Sequence, residues 1–379
     1  MKKYYFLILL LFIITGCATK ENQINVMANK AILKQTPKQK KLAPIYKRDT
    51  FQKNMINSDE AISEVLIEEE VIIDKDAYRI ALVFPSKIVG KYAKDVINTT
   101  MAYMLHNNIK FQFEVFDSVR QNEFDINRAF DEVKKAKFDN VIVLYTQDAI
   151  NDLLKVDGIE DLSLYLPLVN INDSQFKLNN VVYGGIDYRQ QISKLLSLSN
   201  KKNAIFYADT KLGSKLKNYI TQSKQLVKTS TKIKNSTNVF KKIVTNRALS
   251  NSSLFLNTSI IKSSIILSQL RAHGTVPYKI LSTQLNYTPL LVSLTQYPDR
   301  KNFVIANSIS KTDYKLQESL FLLDADIAYN WVNYSTLIGM DFLYNKNKST
   351  LFPSKIKNNQ VAYDVNLYKN TRHGFKQLR

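Results

Sequence analysis

The chain has 379 residues, 45% of them hydrophobic, and 53 Lys and Arg against 33 Asp and Glu give it a net charge of +20 at pH 7. That apolar share excludes wholesale disorder, and the length allows one large domain or two lobes with substantial cores. The charge favours anionic neighbours. However, no basic heptad segment, zinc spacing or aromatic–basic ribonucleoprotein motif is present, so nucleic-acid binding is not expected.

The first residues, MKK, are a short basic run. Tyr4 to Ile14 follow as an uninterrupted apolar stretch. Eleven residues are too few to span a bilayer as a helix, which needs about 20, and they fit the core of a secretory signal. Then comes ITGC, Ile14 to Cys17, with two small or polar residues before the only cysteine of the chain. This resembles the bacterial lipobox. The resemblance implies that residues 1–16 are a lipoprotein signal peptide. It also implies that Cys17 becomes the first mature residue, holding a diacylglyceryl thioether and an acyl chain such as palmitate on its amine. Two or more chains give stable attachment. Ala18 after the cysteine, in place of Asp, resembles the outer-membrane sorting pattern. The expected location is therefore the periplasmic face of the outer membrane. No cofactor is expected beyond this covalent lipid, and a lone Cys committed to lipid leaves neither a disulfide nor a thiol nucleophile.

Residues 17–76 are polar and basic with scattered prolines, and read as a lipidated, largely disordered tether. Within it, Ser58 to Ile73 has the pattern of a short helix capped by Ser58. From residue 77 the pattern changes. YRIALVFP reads as a buried strand and GKYAKDVINTTMAYMLHN as a helix. IKFQFEVFD reads as a strand, DINRAFDEVKKAK as a helix, FDNVIVLYT as a strand, QDAINDLLKV as a helix and LYLPLVNIN as a strand. The alternation then repeats. YRQQISKLLSLSN is a helix, KNAIFYAD a strand and KLGSKLKNYITQSK a helix. QLVKTSTKI has strand character, and NVFKKIVTNRAL reads as a helix. SSLFLNTS is a strand, IIKSSIILSQLRAHG a helix and YKILST a strand. Ser319 to Tyr344 is a long apolar stretch interrupted by Asp324, Asp326 and Asp341, which predicts one long buried helix rather than a membrane span. The closing residues alternate as strands, with a hairpin around Lys369–Arg372.

Two such runs of strand–helix units predict an α/β protein of two lobes, each a parallel β-sheet flanked by helices. The first lobe takes about residues 77–185 plus late segments, and the second about 186–305. The adjacent glycines in YGGIDY, Tyr183 to Tyr188, suggest a hinge at the first crossing. The order of RIALVFPSKIVGKYAKDV, AIFYADTKLGSKLKNYI and SNSSLFLNTSIIKSSIILSQLRAHGTVPYKILST resembles the type I periplasmic-binding fold over Tyr78 to Arg379. Within that fold the chain resembles two branches. One is the LpoA (LppC) lipoprotein family of penicillin-binding-protein activators, which LIGMDFLY and VAYDVNLYKNTRHGFKQL also resemble. The other is the receptors of amino-acid ABC importers. LpoA proteins carry a large N-terminal helical-repeat domain where this chain has a tether. The resemblance implies contact with a cell-wall (peptidoglycan) synthase in the first case and a small polar solute in the second.

Catalysis finds no motif. His106, His273 and His373 sit at helix ends or near the terminus, without metal-ligand spacing. There is no Gly-x-Ser-x-Gly elbow, and the residues around Gly213 lack the glycine-rich lead-in of a phosphate loop. A non-enzymatic binding protein is expected. In doubly wound sheets ligands lie at loops leaving the C-terminal ends of strands. That rule selects Ser86, Thr146, Asn172, Ser174, Asp187, Asp209, Thr258 and Ser259 as cleft candidates, hydroxyls for a carboxylate and Asp187 or Asp209 for an amine. Lys201 to Arg247 holds twelve Lys and Arg and one acid, Asp209. It is either a solvated face or a contact for an anionic surface.

Overall fold

The computed structural model describes residues 76–174, 179–346, 348–352 and 354–378. Cys17, the signal, the tether and the helix expected at Ser58–Ile73 lie outside the described residues. Two seven-stranded sheets organise the domain. The first contains β1 (Tyr78–Phe84), β2 (Phe111–Asp117), β3 (Asn140–Val143), β4 (Ser163–Leu166) and β5 (Val181–Tyr183), with β11 (Lys355–Lys357) and β12 (Gln360–Ala362) from late in the chain. Its order is β11-β12-β5-β4-β3-β1-β2. The second contains β6 (Lys202–Ala208), β7 (Leu226–Ile233), β8 (Ser253–Asn257), β9 (Lys279–Ser282) and β10 (Phe303–Asn307). β13 (Asn366–Asn370) and β14 (Phe375–Gln377) complete it. Its order is β14-β13-β10-β9-β8-β6-β7.

In each sheet the five leading strands are parallel in the doubly wound order 2-1-3-4-5, and an antiparallel hairpin strand closes one edge. The alternation of side chains explains the layers. Along β1, Ile80 and Leu82 enter one core, and Ala81 and Val83 enter the other. Both faces are covered, so β8 and β10 are buried at every position.

Seven helices of eight or more residues cover these faces among the described residues: α1 (Ala93–His106), α2 (Glu123–Lys135), α3 (Tyr188–Leu196), α4 (Lys211–Thr221), α5 (Ile260–Ala272), α6 (Tyr314–Phe321) and α7 (Trp331–Tyr344). Their starts follow capping chemistry. Asn122, Asp187, Thr210, Asp313 and Asn330 each accept a backbone N–H of the first turn.

The apolar stretch expected as one helix is two. α6 ends at Phe321, where Asp324 takes a left-handed φ of 59° and the Ala325 N–H returns to the Leu320 carbonyl. The Asp326 carboxylate then holds the Ala328 and Tyr329 N–H groups, and Asn330 starts α7. α7 is buried at every position from Val332 to Phe342, and this includes Asp341. The Asp341 carboxylate accepts from Tyr103, Asn345, Ser349 and Thr350 side chains and from the Thr350 and Leu351 N–H groups. Neutral donors alone thus satisfy a fully buried carboxylate, and they fix the loop that follows α7. Two shorter readings also change. β4 stops before Pro167, which has no N–H to continue the ladder. NVFKKIVTNRAL makes only the single turn Lys241–Val244 and a 3₁₀ turn.

Candidate functional site

The chain passes between the sheets three times: after β5, after β10 and between β12 and β13. The first passage is not a free hinge. Neither Gly184 nor Gly185 has positive φ. Glycine is needed there because a Cβ on Gly184 would lie 2.1 Å from the Tyr165 hydroxyl and 2.7 Å from the Ser335 hydroxyl. The Gly184 carbonyl accepts from Ser335 at 3.0 Å and from Tyr363 at 2.8 Å. The Gly185 carbonyl accepts from Asn170 and Gln360, both at 3.1 Å.

At the C-terminal ends of the parallel strands the two lobes face each other across a cavity of about 730 Å³. The first lobe contributes loop residues that include Thr146, Asn170 and Asp173, together with Asp326, Tyr329 and Asn330 ahead of α7 and Trp331 and Val332 at its start. The second contributes the first half of α4 and the segments after β9 and β10. Five aromatic side chains line the cavity: Tyr92, Tyr188, Tyr287, Tyr329 and Trp331. Tyr287 of the second lobe packs on Tyr329 of the first with ring centroids 5.4 Å apart. Burial, and next Tyr92 beside it, raises the Tyr188 hydroxyl well above the ordinary tyrosine range, so it stays protonated.

Much of the polar lining is engaged within the protein. Asp173 accepts from the Tyr219 hydroxyl at 2.9 Å and pairs with Lys215, both on α4, so it links the lobes. Lys211 pairs with Asp148 beside it. Burial and the neighbouring Asp173 carboxylate raise the Tyr219 hydroxyl, which keeps it a donor. Gln284 accepts from Gln191 and from the Ser308 N–H. Asn307 bonds both the N–H and the carbonyl of Ile309. The Thr146 hydroxyl is shared with Gln121.

Of the eight residues selected from the sequence, Thr146 alone lines this cavity. The others sit on the expected loops, but local duties hold most of them elsewhere. The Ser86 N–H bonds Asp117 at 3.0 Å. Asn172 is exposed, with its N–H on the Asn170 side chain, and Ser174 lies just beyond it. Asp187 caps α3. Asp209 pairs with Lys232 at 3.1 Å. Thr258 is buried against Ser263 at 2.8 Å, and Ser259 occupies the cap position of α5. The sequence reading passed over the aromatic set, Asp173 and Lys215. One available signal was Trp331, the only tryptophan of the chain, beside a cluster of polar breakers. The basic run is partly spent internally, since Lys211, Lys215 and Lys232 each pair with an acid. Among the described residues no group of three or more His, Cys, Asp or Glu could hold a metal ion, and no helix is long and apolar enough to cross a membrane.

Two doubly wound lobes joined by three passages and facing each other over a cleft define the type I periplasmic-binding fold. Solved structures of that fold superpose on this chain. One is a branched-chain amino acid ABC transporter periplasmic ligand-binding protein from Burkholderia xenovorans LB400 (TM-score 0.60, 9% identity, 80% of this chain and 94% of that one). Full-length LpoA from Haemophilus influenzae matches with a TM-score of 0.58 at 11% identity, over 80% of this chain and 59% of LpoA. The LpoA C-domain from the same organism, described as a regulator of PBP1A, is covered completely at a TM-score of 0.53 and 10% identity, over 80% of this chain. The chain therefore spans about three-fifths of full-length LpoA. No protein-family model and no curated protein sequence matches it.

Proposed function

We propose that this is a non-enzymatic, LpoA-like lipoprotein. It is held by Cys17 at the periplasmic face of the outer membrane and acts by contact with a cell-wall synthase. The observation that carries this reading is the self-pairing of the cleft. An amino-acid ligand needs donors for its carboxylate and an acid for its amine. Here Asp173 is already matched by Lys215 and Tyr219, and Asp326, the other acid of the lining, accepts the Ala328 and Tyr329 N–H groups. Binding would have to break those pairs without a surplus to offset them.

In-cell crosslinking should recover a wall synthase; recovery of none would remove the regulator reading. Substituting Cys17→Ser should release the protein from the membrane fraction, and tight association of the variant would contradict the anchor. A second reading, a solute receptor of an importer, draws support from the size and aromatic lining of the cavity. It predicts a saturable ligand-induced stabilisation.

A further inference from the structure

Helix α6 buries one apolar face and exposes two large rings on another. Leu316 and Leu320 enter the core of the first lobe, as the burial of an amphipathic helix requires. On another face Tyr314 is 74% exposed and Phe321 72% exposed, and the adjoining Leu322 is 81% exposed. Tyr314, Gln317, Glu318 and Phe321 stand at positions i, i+3, i+4 and i+7, so they form one stripe. That stripe flanks a groove of about 290 Å³ whose other wall is Ala325 to Ala328.

The charge around the groove is the reverse of the chain's. Asp313 to Asp326 contains Asp313, Glu318, Asp324 and Asp326 against Lys315, and Lys94 pairs with Asp324 at 2.8 Å, a local balance of −2 in a protein of +20. Glu318 is exposed in the middle of the stripe and Asp326 lines the groove. Folding has left large rings in water here and set carboxylates among them.

We infer that the α6 groove docks a basic amphipathic segment of a partner protein, apolar side chains against Tyr314 and Phe321 and Lys or Arg beside Glu318 and Asp326. This rests on the contact reading above and names the surface that makes the contact. Helix-in-groove recognition uses the same elements, an apolar anchor in a pocket with charges that fix register. A second copy of this strongly basic chain, or its own basic N-terminal region, is the competing occupant, and the test separates them.

The full-length protein would be titrated with a labelled 18-residue Leu–Lys amphipathic peptide and with its Leu–Glu counterpart. Wild type is expected to bind the Leu–Lys peptide, and Glu318→Lys or Phe321→Ser each to weaken it about tenfold, one such contact being worth about 1.4 kcal/mol. The Leu–Glu peptide should show no preference for wild type over Phe321→Ser. Both substituted side chains are exposed, so unchanged melting temperatures verify folding. Equal binding by wild type and both variants would overturn the inference. So would a dimer in light scattering that Phe321→Ser dissociates, or binding that strengthens when residues 18–75 are removed. In cells, a photo-crosslinker at Phe321 should capture a wall synthase, whereas one at the exposed Val276 of the second lobe should not. A synthase captured only from other positions sinks this groove and leaves the contact reading standing. A synthase captured from none sinks both.

Discussion

Two regions of the molecule are held by different kinds of contact: the packed interior of the first lobe behind the first passage, and the ion pairs that cross the mouth of the cleft. At the back, the first passage is wedged: Gly184 fits under Tyr165 and Ser335, and α7 is tied to its following loop by a buried Asp341. At the mouth, Lys211 and Lys215 reach across to Asp148 and Asp173 through side chains that keep contact with solvent. Back contacts are dry, crowded and intolerant of a single added carbon. Mouth contacts are screened by water and ions, and each is weak alone. The difference teaches that packing fixes the first lobe's side of the passage, whereas the ion pairs across the mouth are weak and, through Asp173 and Lys215, occupy polar groups a ligand would need.

The largest effect should come from the back. Replacing Asp341→Ala removes the acceptor shared by the buried Tyr103 hydroxyl, the half-buried Asn345 and Ser349 side chains and the exposed Thr350, and about 3 kcal/mol of stability should be lost in urea unfolding. A loss below about 1 kcal/mol would mean that water replaces the carboxylate. Gly184→Ala places its methyl inside the Tyr165 hydroxyl and should cost about 3 kcal/mol by overpacking. Tolerance of alanine would show that this passage yields, as a hinge would.

Mouth substitutions should be smaller. Lys215 is 30% exposed against 17% for Asp173, so Lys215→Ala should cost about 1 kcal/mol, an effect that shrinks in high salt. Lys211 is 86% exposed, and Lys211→Ala should fall within about 0.5 kcal/mol of wild type. The reverse order would place the latch at Asp148. The smallest effect concerns pH. Burial alone would raise Asp117, but hydrogen bonds from Ser86 and the Val119 N–H outweigh it and hold the carboxyl below its ordinary value. A depressed folded-state pKa contributes stability above the unfolded value of about 3.9, and that stability is lost as pH falls through the folded one. The gap between wild type and Asp117→Asn, about 0.5 kcal/mol or less for an exposed group, should therefore close on acidification below pH 4. A gap that widens would reverse the assigned direction.

The same contrast explains what could be read from the sequence. Strands such as β1, β8 and β10 announce themselves as short buried runs, and helices such as α2 and α4 by their caps and spacing. Those signals are local, so the α/β alternation was legible. The break between α6 and α7 depended on how Asp324, Asp326 and Asn330 bond backbone within a few residues, and hydropathy alone hid it. The cavity was less legible still. Its rings come from positions as distant as Tyr92 and Trp331, and no spacing along the chain reports that they meet. The strand-end rule selected loops from which only Thr146 reaches the cavity, because Asp187, Asp209 and Thr258 are spent on a cap, an ion pair and a hydroxyl partner.

The central claim is that the cleft spends its polar groups on itself. The most direct measurement is thermal denaturation of the full-length protein with each common amino acid and small amide in excess. No ligand in that set should raise the melting temperature. A saturable rise equivalent to about 2.7 kcal/mol at 100 times the dissociation constant would contradict the account and make the cleft a receptor.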